Sequence, residues 1–91
     1  MSQPQFWYDT EVSGNFTTTF IYLPFGFIPK SMISITSYPS NTDDILYSWD
    51  GTNVVGRIQV TDAAVNLANK QADGIYIKAN SGTQGGRVMA Y

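Results

Sequence analysis

The side chains best suited to bind a ligand lie close together between Tyr47 and Asn53, where the sequence reads YSWDGTN. An indole such as that of Trp49 can stack on a sugar, with Tyr47 beside it, and the Asp50 carboxylate and the Asn53 amide can form hydrogen bonds with hydroxyl groups. A simpler interpretation is a turn, because Asp-Gly between two alternating runs is a strong hairpin signal. The sequence favours the turn and leaves glycan binding on Trp49 as the alternative.

Enzymatic activity is not indicated by the residue types present. The chain has no cysteine and no histidine, which excludes Cys and His nucleophile systems, His general bases and thiolate or imidazole metal ligands. A glycosidase would need two carboxylates in one cleft, and the candidates all lie in or beside predicted loops: Asp43, Asp44, Asp50, Asp62 and Asp73. Loop aspartates commonly form turns or caps. We therefore expect no catalytic residues, no cofactor and no bound metal.

Charge and hydropathy argue against two classes of partner. The 91 residues carry five Lys and Arg against seven Asp and Glu, a net charge of −2, and the basic residues are scattered along the chain. A nucleic-acid-binding protein would gather them into a stripe that faces the phosphates. The most apolar stretch, residues 20–28, is interrupted by Pro24 and Gly26 and is too short to span a bilayer. We expect neither nucleic acid nor a membrane as partner.

The elements that must position these residues are predicted to be β-strands. Side chains alternate with period two in residues 15–23, 31–38, 44–50, 53–60, 74–80 and 86–91, and Gly, Pro and Asn separate these runs. The pattern predicts one all-β domain over residues 1–91, a two-sheet antiparallel β-sandwich of jelly-roll or immunoglobulin-like type with about seven or eight strands. Two segments are open to a second interpretation. Residues 1–12 could form an extended arm, and residues 61–73 fit a short helix as well as the favoured strand and loop.

Aromatic residues make up 14% of the chain and predict a protein interface. Phe6, Trp7 and Tyr8 are consecutive, so on a strand they point to both faces, and at least one points away from a two-layer core. Phe25 and Phe27 lie on a Pro- and Gly-containing loop, where a small core does not easily hide both. We expect these five residues to contact another subunit or a larger partner. The alternative is an N-terminal arm that covers one open end of the sandwich.

Three segments, GFIPKSMISI, YSWDGTNVVG and DGIYIKANSGTQGGRVMAY, resemble small β-sandwich structural proteins of tailed bacteriophages. The shared features are a GF-x-P-K turn before a strand, a W-x-G hairpin, an I-x-I-K-A strand and a V-x-A-Y end. The segment MSQPQFWYDTEV has no counterpart.

The resemblance implies a non-enzymatic virion protein that decorates and stabilises the capsid as an oligomer, with a homotrimer expected. Its partners would be the major capsid protein or other virion proteins, and its place would be the capsid surface, with the tail as the other location. A tail-fibre or carbohydrate-binding module, which would use Trp49, is the alternative function.

Overall fold

The computed structural model describes residues 7–37, 44–58, 65–66 and 72–91. The strands are β1 (Tyr8–Phe16), β2 (Ile21–Pro24), β3 (Ile33–Ser37), β4 (Ile45–Ser48), β5 (Gly56–Ile58), β6 (Val65–Asn66), β7 (Gly74–Ala79) and β8 (Gln84–Ala90). Seven of them have three or more residues, β6 has two, and no helix occurs among the described residues. The predicted all-β fold is confirmed.

The strands form two four-stranded antiparallel sheets, with the orders β1-β8-β3-β6 and β2-β7-β4-β5. The first strand pairs with the eighth, the second with the seventh, the third with the sixth and the fourth with the fifth. The chain is therefore one long antiparallel ribbon wrapped into two layers, which is the eight-stranded jelly roll. An immunoglobulin-like order would not pair the first strand with the last, so the sandwich is of the jelly-roll type.

The core between the sheets follows the predicted alternation most closely in β3, β7 and β8. In β7, Ile75, Ile77 and Ala79 are buried, while Tyr76 and Lys78 are partly exposed. Among the described residues, the buried apolar ones are Phe16, Leu23, Phe25, Ile33, Ile35, Ile45, Ile58, Ile75, Ile77, Ala79, Val88 and Ala90. Because they come from strands of both sheets, the two layers share one core.

The N-terminal half differs from the sequence prediction. Residues 15–23 are not one strand, since β1 ends at Phe16 and β2 begins at Ile21 in the other sheet. The exposed residues 17–19 make the crossing, and the Thr17 carbonyl accepts a hydrogen bond from the Ala79 amide. Tyr8 to Val12 pair with β8, so this part of residues 1–12 belongs to a sheet and is not an arm.

Two further segments bear on the candidate sites. The predicted β4–β5 hairpin is present, but its strands are joined by residues 49–55 and not by a two-residue Asp-Gly turn. In the segment between Thr61 and Asp73, Val65 and Asn66 form a strand, in agreement with the favoured prediction. Residues 61–64 and 67–71 lie outside the described residues.

Candidate functional site

The strand directions bring several separate parts of the chain to one end of the sandwich. Strands β2 and β4 both run antiparallel to β7, so the chain leaves both of them at the end where β7 begins. Strand β8 finishes at this end too, because residues 80–83 connect it to β7 at the opposite end. The last residue of β8, Ala90, pairs with Tyr8 of β1 and with Ile33 of β3. Residues 25–32 and 49–55, Trp7 and Tyr91 therefore lie at one end.

Of the five large apolar side chains that the described part of the molecule exposes, four lie at this end: Trp7, Ile28, Val54 and Val55. The fifth, Tyr22, lies beside Tyr76 on the outer face of the β2-β7-β4-β5 sheet. We call the end that carries the four the apolar end. Trp7 is 51% exposed, Ile28 54% and Val55 52%. At the opposite end, the polar end, the exposed residues 17–19 and 80–83 are Thr, Asn, Ser and Gly. Single exposed apolar side chains are common on proteins, whereas a group of them at one place is the more informative feature.

A surface pocket of about 450 Å³ opens at the apolar end and is lined by Phe27, Ile28, Lys30, Ser31 and Tyr91. The Trp7 ring stacks on the ring of Tyr91, with the two centroids 5.0 Å apart and an interplanar angle of 18°. The residues that line the pocket come from the β2–β3 connection and from the residue after β8. The pocket therefore depends on the pairing of distant parts of the chain.

Backbone hydrogen bonds hold Tyr91 in the wall of the pocket. Its carbonyl accepts from the amides of Ser31, at 2.8 Å, and Met32, at 2.9 Å, and its own amide donates to the Met32 carbonyl at 3.0 Å. The Tyr91 hydroxyl lies 3.5 Å from the Met32 sulfur. Because these contacts are all made within the chain, they fix the wall of the pocket, and a wall fixed in this way loses little conformational entropy on binding.

Lys30 gives the pocket its charge. The other basic residues in the described part of the chain each contact a carboxylate or a ring: Arg57 pairs with Asp44, Arg87 with Asp9, and Lys78 lies over Phe20. Within the same part of the chain, no carboxylate or ring is paired with the exposed Lys30. The pocket thus combines apolar walls with one positive charge.

The five residues predicted at an interface have different positions. Trp7 is exposed, and Phe27 is partly buried against the core and also lines the pocket. Tyr8 is partly buried, with its ring 5.1 Å from that of Phe25. Phe25 is 1% exposed, so the expectation that its side chain meets a partner is wrong. The reason is the bond from its amide to the Asp73 carbonyl, at 2.8 Å, which fixes residue 25 beside the start of β7. Phe6 lies outside the described residues.

The predicted glycan platform is part of the β4–β5 connection. Trp49 and Tyr47 are both partly buried against the core, with ring centroids 6.0 Å apart in an edge-to-face arrangement. The Tyr47 ring also covers Gly56 on the neighbouring strand. These contacts are the packing expected of aromatic residues in a hairpin. Glycan binding on Trp49 stays a prediction.

The Asp50 carboxylate organises the loop that follows Trp49. One of its oxygens accepts from the amides of Thr52 and Asn53, both at 2.8 Å, and from the Ser48 hydroxyl at 2.9 Å. The other oxygen accepts from the Asn53 side-chain amide at 2.7 Å. The hydrogen bonds from the Asn53 and Thr52 amides, followed by those from the Asn53 and Ser48 side chains, hold the pKa of Asp50 well below its ordinary value. Asp50 and Asn53 therefore have structural roles in the loop.

The structure separates several of the aspartates considered for catalysis. Asp44 precedes β4 at the polar end, where its carbonyl accepts from the Asn80 amide, whereas Asp50 lies in a loop at the other end. Asp73 accepts a hydrogen bond from the Tyr22 hydroxyl, and burial together with the Asp73 charge raises the pKa of Tyr22. Asp43 and Asp62 lie outside the described residues. The described residues contain no group of three or more acidic side chains placed to hold a metal ion.

Comparison of the chain with family models, with curated proteins and with solved structures found no match. In the part of the chain that the structure describes, no helix is long and apolar enough to cross a membrane.

Sequence reasoning found only part of the candidate site. It identified Trp7 and Phe27 from their aromatic character, but not Ile28, Lys30 or Tyr91. The GFIPK turn contained a signal for Ile28 and Lys30, because these two residues place an apolar side chain and a cation on either side of Pro29 in a loop. No local signal places Tyr91 there, because its position depends on the pairing of β8 with β3.

Proposed function

We propose that this protein is a non-enzymatic structural protein that binds the surface of a larger protein assembly through its apolar end. The observation that carries the proposal is the unequal distribution of exposed side chains. Trp7, Ile28, Val54 and Val55 are exposed at one end, and Thr, Ser, Asn and Gly occupy the other. Apolar and aromatic side chains grouped in this way are typical of the centre of a protein interface.

The assembly that we propose is the capsid of a tailed bacteriophage, with the major capsid protein or another virion protein as the direct partner. The sequence resemblance supports this choice. The jelly roll is compatible with it, because viral capsid proteins use this fold, although the same fold also serves lectins and enzymes. On the capsid surface we propose a homotrimer; attachment to the tail is the second location.

The mechanism is stabilisation by mass action. A protein that binds the assembled shell and not its separate subunits shifts the equilibrium toward the shell. At a free concentration of a hundred times the dissociation constant, each occupied site favours the assembled state by about 2.7 kcal/mol. Many occupied sites on one particle add up, so no catalytic group is needed.

The experiment uses phage shells that lack the protein and measures how much purified protein sediments with them. Val54→Thr with Val55→Thr replaces two exposed methyl groups by hydroxyls at the apolar end. With about 0.8 kcal/mol for each buried methyl-sized group, we expect an affinity loss of at least about fifteenfold. Trp7→Ala should also weaken attachment, while the isolated subunit stays folded.

The matched control makes the reverse change at the polar end. Thr17→Val with Thr18→Val adds two methyl groups to exposed positions and should leave the affinity for shells unchanged. Full binding of the Val54/Val55 double variant would contradict the proposal. The homotrimer is tested separately by light scattering, which should give about three times the subunit mass of 10.1 kDa for shell-released protein; a single subunit mass would contradict it.

A further inference from the structure

We propose that the pocket at the apolar end receives an apolar side chain of the partner protein, with a carboxylate next to that side chain paired to Lys30. This inference rests on the proposed function and specifies the chemistry of the partner. The proposed ligand is a segment of a protein chain in which an aromatic or aliphatic side chain stands next to an acidic one.

The apolar part of the inference follows from the walls of the pocket. Phe27, Ile28 and Tyr91 line a volume of about 450 Å³, which is within the range of sites that enclose a ligand group. Phe27 packs against the core, and Tyr91 is held by backbone hydrogen bonds and by the stacked Trp7 ring. A fixed aromatic pocket of this kind is the usual receptor for the anchor side chain of an interface.

The acidic part follows from the charges at this end. Lys30 lines the pocket and is exposed, and no carboxylate in the described part of the chain neutralises it. The aspartates described at or near this end already have partners. Asp9 pairs with Arg87, Asp50 accepts hydrogen bonds from its own loop, and Asp73 accepts one from Tyr22. A partner carboxylate would therefore complete the charge pattern, which supplies specificity and a faster association.

The surroundings of the pocket favour a protein segment over a small free acid. Outside the pocket, the same end also exposes the apolar side chains of Trp7, Val54 and Val55. A small acid would fill the pocket and leave this surface in water, whereas a protein partner would cover both.

The test is an NMR titration of the uniformly labelled full chain with capped tetrapeptides of sequence Gly-Phe-Glu-Gly, Gly-Phe-Gln-Gly and Gly-Ala-Glu-Gly. We expect saturable shifts at Lys30, Ser31 and Tyr91 with the first peptide. The glutamine peptide should bind about two- to fivefold more weakly, the range of an exposed ion pair, and the alanine peptide should not saturate.

Two lysine variants assign the charge effect. Lys30→Gln should abolish the difference between the glutamate and glutamine peptides. Lys78→Gln also removes one positive charge, but from strand β7 outside the pocket, where Lys78 lies over Phe20. This control variant should still bind the glutamate peptide more tightly than the glutamine peptide. Equal binding of the glutamate and glutamine peptides to the unmodified protein would overturn the proposal. So would saturable binding of the alanine peptide, or binding of free phenylacetate as tight as that of the first peptide.

The peptide titration and the shell-binding experiment can fail independently, so they test the pocket and the proposed function separately. If the Val54/Val55 double variant loses shell binding but the peptides do not bind at the pocket, the docking proposal stands and the pocket assignment is overturned. If the peptides bind as expected but shells bind both double variants equally, the pocket takes acidic segments, and the shell is not the partner.

Discussion

The buried position of Phe25 predicts a large loss of stability when its ring is removed. Its side chain is 1% exposed, with the rings of Tyr8 and Phe27 at centroid distances of 5.1 and 6.4 Å. Phe25→Ala should lower the free energy of unfolding by about 3–5 kcal/mol, because it removes buried surface and leaves a cavity. A chain of 91 residues has a total stability of only about 5–14 kcal/mol. At about 4–8 °C per kcal/mol, the melting temperature should fall by about 12–40 °C.

The assay is urea unfolding followed by circular dichroism, with Trp7→Ala as an aromatic control. Trp7 is half exposed and loses mainly its stacking on Tyr91, a contact of about 0.5–1.5 kcal/mol. Phe25→Leu retains most of the volume and should fold even if Phe25→Ala does not, with a loss below about 1.5 kcal/mol. A loss for Phe25→Ala no larger than that for Trp7→Ala would refute the assignment of Phe25 to the core and restore it as an interface residue.

Two further predictions concern the β4–β5 hairpin. Gly56→Ala should cost about 1–3 kcal/mol in urea unfolding, because a Cβ there would overlap the Tyr47 ring and its hydroxyl oxygen. In a Tyr47→Leu background the cost of the alanine should shrink, and an equal cost would show that the ring is not the obstacle. Asp50 should stabilise the protein above its ordinary pKa of 3.8 and lose this contribution as the pH falls below it, because hydrogen bonds lower its pKa in the folded state. Between pH 5 and pH 2, about the range in which aspartates titrate, the stability of Asp50→Asn should therefore fall less than that of the unmodified protein. Equal losses for the two proteins would contradict this prediction.

Much of the fold could be predicted wherever one face of a strand is buried. In β3, β7 and β8 the alternation of Ile, Val or Ala with other residues identifies both the strand and its inner face. It fails for residues 15–23, since β-forming residues occupy both faces there and no local signal marks the crossing between sheets. The choice of the jelly roll depends on the pairing of β1 with β8, which is a non-local property.

The candidate site was predictable only from residue type. Trp7 and Phe27 are aromatic residues in positions where a small core has little room, and the structure leaves them at or near the surface. Phe25 shares these sequence features, but a backbone hydrogen bond to Asp73 fixes it at the core. Local sequence does not distinguish these two outcomes, because the deciding contact joins residues that are far apart in the chain.

The central claim is that the apolar end faces the assembly, and the most direct measurement is a cryo-electron microscopy map of phage particles that carry the protein. We expect density for the jelly roll on the capsid surface, with Trp7, Ile28 and Val54 against the shell and residues 17–19 and 80–83 pointing to solvent. A jelly roll bound with the polar end against the shell, or particles without such density, would contradict the account.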